Sequence, residues 1–137
     1  MKKFFIIMMM CVGLAVTAQT LTRTKVLKTT DMGNQKLEMV IRGGDTVYAM
    51  KIKSQNIRND VVVVALGDRQ NALRLLNILK DVELSGDDAL NLENETQNVV
   101  KKNPMGGFAV FHELGVKYGQ LRKPNIKGFI KVLEGME

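Results

Sequence analysis

Polar and apolar residues alternate with a period of two at several points along this chain, and with a helical period at two others. Leu37, Met39 and Ile41 alternate with Lys36, Glu38 and Arg42, which predicts a half-buried strand. Thr46 to Lys53 sets Tyr48, Met50 and Ile52 on one face and predicts its partner. Between them, Gly43-Gly44-Asp45 supplies the positive-φ positions that a tight hairpin needs. Upstream, Lys25, Leu27 and Thr29 alternate with Val26 and Lys28 inside Arg23 to Thr30, an edge strand. A turn from Asp31 to Gln35, containing Gly33-Asn34, follows it. Ser54 to Asp60 is a polar loop. Val61 to Leu66 is continuously apolar and mostly β-branched, the pattern of a central strand with both faces covered.

Gly67-Asp68 ends that run, and Asp68 is placed to cap a helix. Gln70, Arg74, Asn77 and Asp81 then form one narrow polar stripe. Ala72, Leu73, Leu75, Leu76, Ile78 and Leu79 fill the remaining girth, so the helix is expected to be deeply embedded. Ser85 to Thr96 is acidic and irregular, with a short extended piece at Leu90 to Leu92. Asn103-Pro104-Met105-Gly106-Gly107 is a turn. Phe108 to Leu114 alternates as a strand with Phe108, Val110, His112 and Leu114 on one face, and Lys117 to Arg122 is its hairpin partner across Gly115. Pro124-Asn125 opens a last helix with Asn125 as cap. Ile126, Phe129, Ile130 and Leu133 are its apolar stripe, Lys127, Lys131 and Glu134 its wet one, and Gly135 its end.

The order is strands, helix, strands, helix, joined by short hairpin turns. It predicts an α+β fold: a mainly antiparallel sheet of about five strands with two helices packed on one face. Such a two-layer fold leaves the other sheet face in water. The two-sided apolar strand at Val61 to Leu66 therefore calls for a loop or another chain over that face, a homodimer through the sheet included.

The first eighteen residues follow a different pattern. Lys2 and Lys3 precede a run of thirteen uncharged, mostly apolar residues from Phe4 to Val16. A bilayer-spanning helix needs roughly 18 or more such residues. The run is the right length for a signal peptide, and Val16 and Ala18 put small residues at −3 and −1 of a cut before Gln19. Residues 1–18 are thus a cleavable leader and 19–137 a single domain, periplasmic or secreted and without a transmembrane anchor. Met8, Met9 and Met10 stand before Cys11 where a lipid-attachment motif needs a small residue, so no lipid anchor is expected there. Cleavage removes the only cysteine, which leaves the fold to packing alone.

The Lys2-Lys3 n-region and the Val16-Thr17-Ala18 to Gln19-Thr20 junction resemble leaders common in Bacteroidetes. With that leader and its general layout, the chain is similar to small exported domains of unknown function in that group. The resemblance implies export and carries no activity or site residues with it.

Candidate chemistry is thin. His112 is the only histidine, and its neighbour Glu113 points to the opposite strand face, so the two do not form a local acid–base couple. One histidine without cysteine does not make an ordinary zinc site. Asp81, Glu83, Asp87, Asp88, Glu93 and Glu95 put six carboxylates in fifteen residues, but Gly86 precedes the acids and no calcium-loop register fits. The turn at Gly67-Asp68 has one glycine and an acid, the wrong chemistry for cradling phosphate. Ser54 and Ser85, the only serines, lie in no hydrolase motif. No cofactor motif is present, and the mature chain lacks the tryptophans of a dedicated glycan platform.

Charge is more informative. The full chain is +6; without Lys2 and Lys3, eighteen basic residues stand against fourteen acidic ones, or +4. Lys101, Lys102, Lys117, Arg122, Lys123, Lys127 and Lys131 crowd the last third. On one face they would hold an anionic partner by point-charge attraction. Export disfavours nucleic acid and leaves another envelope protein, an anionic lipid or a glycan. The preferred reading is a non-enzymatic binding domain with Lys117, Tyr118, Arg122, Lys123 and Lys127 as contact residues. The alternatives are a cell-envelope enzyme using carboxylates and His112, and a carrier of an anionic or lipid-like ligand, which needs an apolar cavity between helices and sheet. The leader has a direct check: mass spectrometry of natural material should find the chain beginning at Gln19, and cytoplasmic material retaining Met1 to Ala18 would remove the basis for export.

Overall fold

The computed structural model describes residues 21–30, 33–112 and 115–136. The leader with its cut and Cys11, and Asp31, Glu113 and Leu114 of the expected turn and strand, lie outside the described residues. The fold is α+β and antiparallel throughout, but it holds two four-stranded sheets where the sequence pattern predicts one sheet of about five strands. The first sheet runs in chain order: β1 (Thr22–Thr30), β2 (Gln35–Arg42), β3 (Asp45–Lys53) and β4 (Val61–Gly67). After helix α1 (Arg69–Asp81), the second sheet is again sequential: β5 (Ala89–Asn91), β6 (Val99–Lys102), β7 (Phe108–Phe111) and β8 (Tyr118–Leu121). Helix α2 (Lys123–Glu134) closes the chain.

Period-two patterning sets the first sheet. Met50 of β3 pairs with Leu37 of β2 on one side and Val64 of β4 on the other, and Ile52 with Gln35 and Val62. These apolar side chains face the helices and are essentially fully buried. The β2–β3 hairpin turns on Gly43 at φ 62°, a conformation open to glycine at little cost. Lys25 pairs with Met39 and Lys28 with Leu37, the register slipping by a bulge between Val26 and Lys28. β1 is an edge strand, as its pattern predicts.

β4 departs from expectation. It is the other edge of the sheet and pairs with β3 alone. Its burial alternates: Val62, Val64 and Leu66 point into the core, while Val61 and Val63 remain 39% and 38% exposed. A loop covers the strand's free edge rather than its outer face. The Thr96 hydroxyl accepts the Ala65 N–H at 2.9 Å, the Asn94 amide donates to the Ala65 carbonyl at 2.9 Å, and the Asn98 amide donates to the Val63 carbonyl at 3.1 Å. Side chains thereby satisfy backbone groups that a ninth strand would otherwise meet.

Asp68 caps α1, its carboxylate accepting the Asn71 N–H at 2.8 Å. Ala72, Leu75, Leu76 and Leu79 are buried, but Ile78 is 37% exposed and Leu73 half-buried, so the wet face is wider than the polar stripe implies. α2 buries Ile126, Phe129, Ile130 and Leu133, as its stripe predicts. It begins a turn before its expected cap: Arg122 is the cap residue, without a side-chain capping bond, and Pro124 sits in the first turn where its missing N–H costs nothing. Asn125 lies inside the helix and donates to the Gln35 side-chain carbonyl at 2.7 Å.

One core unites both sheets and both helices, with Val100, Phe108, Val110 and Leu121 of the second sheet joining Leu37, Met50, Leu76 and Phe129. The sheets meet at two seams. At the first, Ser54 bridges to Gly119 of β8, and the Gln55 N–H donates to the Tyr118 carbonyl at 2.8 Å. A Cβ on Gly119 would come within 2.5 Å of Ile52 Cγ2 and 2.9 Å of the Lys53 carbonyl, so only glycine permits this approach. At the second, Asn98 is wholly buried and donates its second amide hydrogen to the Phe111 carbonyl of β7 at 3.1 Å. Its carbonyl accepts from Asn94 at 2.9 Å and from the Thr96 hydroxyl. Asn98→Ala orphans the Val63 and Phe111 carbonyls, at about 1–3 kcal/mol for each buried group left unmade. The variant should lose at least about 2 kcal/mol in urea unfolding, with the midpoint falling and the slope unchanged. A loss under about 0.5 kcal/mol would mean that the second seam does not hold the sheets together.

Candidate functional site

Antiparallel register brings together residues far apart in sequence at one end of the second sheet. Lys102 pairs with Phe108 across the β6–β7 turn, and Phe108 with Leu121 across β7–β8. Arg122 and α2 follow directly. The end of α1 delivers Val82, Glu83 and Leu84 to the same place. Between them lies a groove of about 630 Å³, walled by Val82, Leu84, Phe108 and Pro124 and ringed by Lys102, Arg122 and Lys123 against a single acid, Glu83. Gly106 and Gly107 form part of the rim. Gly107 sits at φ 69°, and a Cβ there would lie 2.5 Å from the Leu121 carbonyl, so this part of the rim is bare backbone by steric necessity.

The three cations are not equivalent. Lys123 Nζ donates to the Val82 carbonyl at 3.0 Å and stands 5.7 Å from the centroid of the Phe108 ring. This contact ties α2 to the end of α1 and fixes one positive charge in the wall. Lys102 and Arg122 are exposed. The rim therefore offers one preset charge and two exposed ones, with hydrocarbon beside them.

The five expected contact residues do not form one patch. Arg122 and Lys123 line the groove. Lys117 and Tyr118 sit at the opposite end of β8. Lys117 is engaged there: its Nζ is 3.1 Å from the Asp60 carboxylate. The Tyr118 ring packs against Phe111 with centroids 5.2 Å apart. Lys127 is exposed on the wet side of α2 and does not line the groove. Lys102 completes the basic ring and was absent from the expected contact set. Its signal was the turn at Asn103 to Gly107, which folds Lys102 back beside Phe108 once the hairpin register is drawn.

His112 lies near Asp60 and Lys117. Its backbone N–H donates to the Lys117 carbonyl at 3.2 Å. The Val61 backbone N–H, 2.8 Å away, holds the Asp60 carboxyl below the usual aspartate range, and the Lys117 ammonium adds to this. In the acidic stretch, Asp88 accepts the Ser85 N–H at 3.1 Å and so shapes its own turn. Among the described residues, no three His, Cys, Asp or Glu side chains converge as a metal ion requires. No helix among them is long and apolar enough to cross a membrane. Leu75, Leu76, Leu79, Phe129 and Leu133 fill the space between helices and first sheet where a carried ligand would have to sit. No protein-family model matches this chain, and no curated protein or solved structure matches it significantly.

The Asp60 environment makes a signed prediction. Its carboxyl should titrate by NMR below the ordinary aspartate value near 3.9. Lys117→Met should raise that midpoint only part of the way, because the Val61 N–H is the larger cause and remains. The stabilisation linked to this group is present above the unfolded pKa and is lost as pH falls through the lower folded one. Full return to the ordinary value in Lys117→Met would reverse the ranking of the two causes.

Proposed function

We propose that this chain is exported, loses residues 1–18, and acts in the periplasm or outside the cell as a non-enzymatic binding domain. Its groove at the helix ends takes an anionic group carried on an apolar body. One observation carries the reading: three cations and one carboxylate surround a groove whose walls are Val82, Leu84, Phe108 and Pro124. Low-dielectric walls focus the field of such a ring and favour an anion entering it. The apolar walls add what a free inorganic anion would not use, roughly 25 cal/mol per Å² of hydrocarbon covered. Lys123 is already held by Val82, so part of the ordering cost of binding is met before the ligand arrives.

An anionic lipid headgroup with the start of its acyl chains has this chemistry. Short-chain phosphatidylglycerol, titrated into the 15N-labelled mature domain below its micelle concentration, should shift the amides of Gly106, Gly107, Phe108 and Lys123. Added salt should weaken the effect. Lys102→Glu with Arg122→Glu reverses two exposed charges and should weaken binding at least about tenfold, or 1.4 kcal/mol. Equal shifts with the phosphatidylcholine of the same chain length, or shifts confined to other surfaces, would overturn the reading.

A further inference from the structure

The two sheets have four edge strands, and the molecule closes two of those edges itself. Asn94, Thr96 and Asn98 cover the edge of β4 with side chains. Along β8, the Gln55 N–H donates to the Tyr118 carbonyl and the Gln35 side-chain amide to the Gln120 carbonyl, each at 2.8 Å. β1 and β5 instead pair on one side alone, with β2 and β6. Register shows which backbone groups they leave over. The Gly43 N–H donates to the Leu21 carbonyl at 3.3 Å, so Leu21 and Arg23 bond toward β2, while Thr22 and Thr24 turn their N–H and C=O groups away from it. The Leu92 N–H donates to the Asn98 carbonyl at 3.0 Å, so Leu92 and Leu90 bond toward β6, while Ala89 and Asn91 turn theirs outward. Thr22, Thr24, Ala89 and Asn91 are all exposed, and no other described residue bonds to these outward groups.

The two open edges carry opposite charge. β1 bears Arg23, Lys25 and Lys28, all exposed, and no acid. β5 is bracketed by Asp87, Asp88 and Glu93, all exposed, and the chain has no basic residue between Lys80 and Lys101. None of these six charges is ion-paired among the described residues. Cations on an edge strand repel a basic or apolar strand and admit an acidic one. Two copies of β1 are thereby kept apart: antiparallel pairing centred on Thr24 would set Arg23 against Lys25 twice. β5 of a second copy has no such conflict. With Thr22 opposite Asn91 and Thr24 opposite Ala89, the outward groups of both edges meet in antiparallel register, and Lys25 falls opposite Asp88. Asp87 follows on toward Lys28.

We propose that the chain associates with itself head to tail, β1 of one copy adding to β5 of the next, so that the first sheet of one molecule continues into the second sheet of its neighbour. The two surfaces differ, so each added copy leaves one edge of each kind open and growth does not stop at a dimer. The contact is small, because β5 has only three residues, and association is accordingly weak and concentration-dependent. Neither edge contributes a residue to the basic groove, which stays open in the assembly's subunits.

Sedimentation velocity of the mature domain, from micromolar to millimolar concentration, tests this. The weight-average mass should rise with concentration past that of a dimer and fall as salt is added. Thr24→Pro and Ala89→Pro each remove one outward N–H and leave the bonds within the sheets in place. Each variant alone should stay monomeric. Mixed, they should form a one-to-one complex and nothing larger, because Thr24→Pro supplies an open β5 and Ala89→Pro an open β1. Should either proline variant not fold, charge reversal decides. Lys25→Glu with Lys28→Glu, and Asp87→Lys with Glu93→Lys, should each weaken self-association at least about tenfold (1.4 kcal/mol), and mixing the two proteins should restore it. A monomer at every concentration, an assembly of the unaltered domain that stops at a dimer, undiminished association of the single variants, or mixtures that stay monomeric would each overturn the proposal.

Discussion

Asn98 is buried completely, and its two amide hydrogens go to carbonyls in different sheets. The wider architecture follows from the need for such a contact. Where Ser54 meets Gly119, with the Gln35 and Gln55 amides bonded to Gln120 beside it, the sheets join along one seam, and a joint at one seam gains a fixed angle from a second tie. Asn98 provides it, drawing Val63 of an edge strand toward Phe111 of β7. The loop that carries Asn98 is itself under backbone strain, with Glu93 at φ 54° and Gln97 at φ 48°, a region that side-chain-bearing residues avoid. Such strain persists only where surrounding bonds over-determine the conformation. Asn94 and Thr96, bonded both to Ala65 and to Asn98, are those bonds.

Fixing the sheets in this way also fixes the basic groove. Its walls come from the end of α1, the start of α2 and the β6–β7–β8 end of the second sheet. The helices pack on the first sheet, so the groove exists only if the second sheet is held against them. The bond from Lys123 to Val82 works at the same junction from the opposite side. Groove and architecture therefore share residues there: Lys123 is wall and strut together, while Lys102 and Arg122 stand exposed on the rim.

Elements with many turns of their own pattern were legible in the sequence. β2 and β3 are eight and nine residues long and each sets three apolar residues at alternate positions, Leu37, Met39 and Ile41 in one and Tyr48, Met50 and Ile52 in the other; α1 and α2 show their stripes over three turns. In the second sheet the β7–β8 hairpin was legible, as was an extended piece overlapping β5, but β6 was not, because a strand of four residues leaves only one or two inward positions. In β6 only Val100 is buried, and one valine is no periodicity. β4 misled for another reason. A continuous apolar run reads as a central strand because a central strand is the usual way to satisfy both backbone edges. Here Asn94, Thr96 and Asn98, some thirty residues on, satisfy the free edge with side chains, so the outward valines imply no ninth strand. The candidate site divided along the same line. Arg122 and Lys123 are neighbours in sequence and in space, Lys117 is parted from them by the length of β8, and Lys102 joins them only through register.

The same register accounts for the two opposite charge environments on one small domain. Alternation alone marks Glu38 as an outward, wet residue. It is nonetheless buried, with Val26 and Ala49 opposite it across the sheet and Lys51 Nζ 3.2 Å away, neighbours known only once β2 is aligned with both of its partners. On the second sheet, alignment gathers cations around Phe108; on the first, it leaves a carboxylate among valines and alanines. In both places the sequence supplies the charges and pairing decides what surrounds them. A charge ringed by mobile partners and water is ordinary surface. Beside fixed hydrocarbon it becomes selective, because the low-dielectric wall raises the worth of the right counter-charge and the penalty for the wrong one.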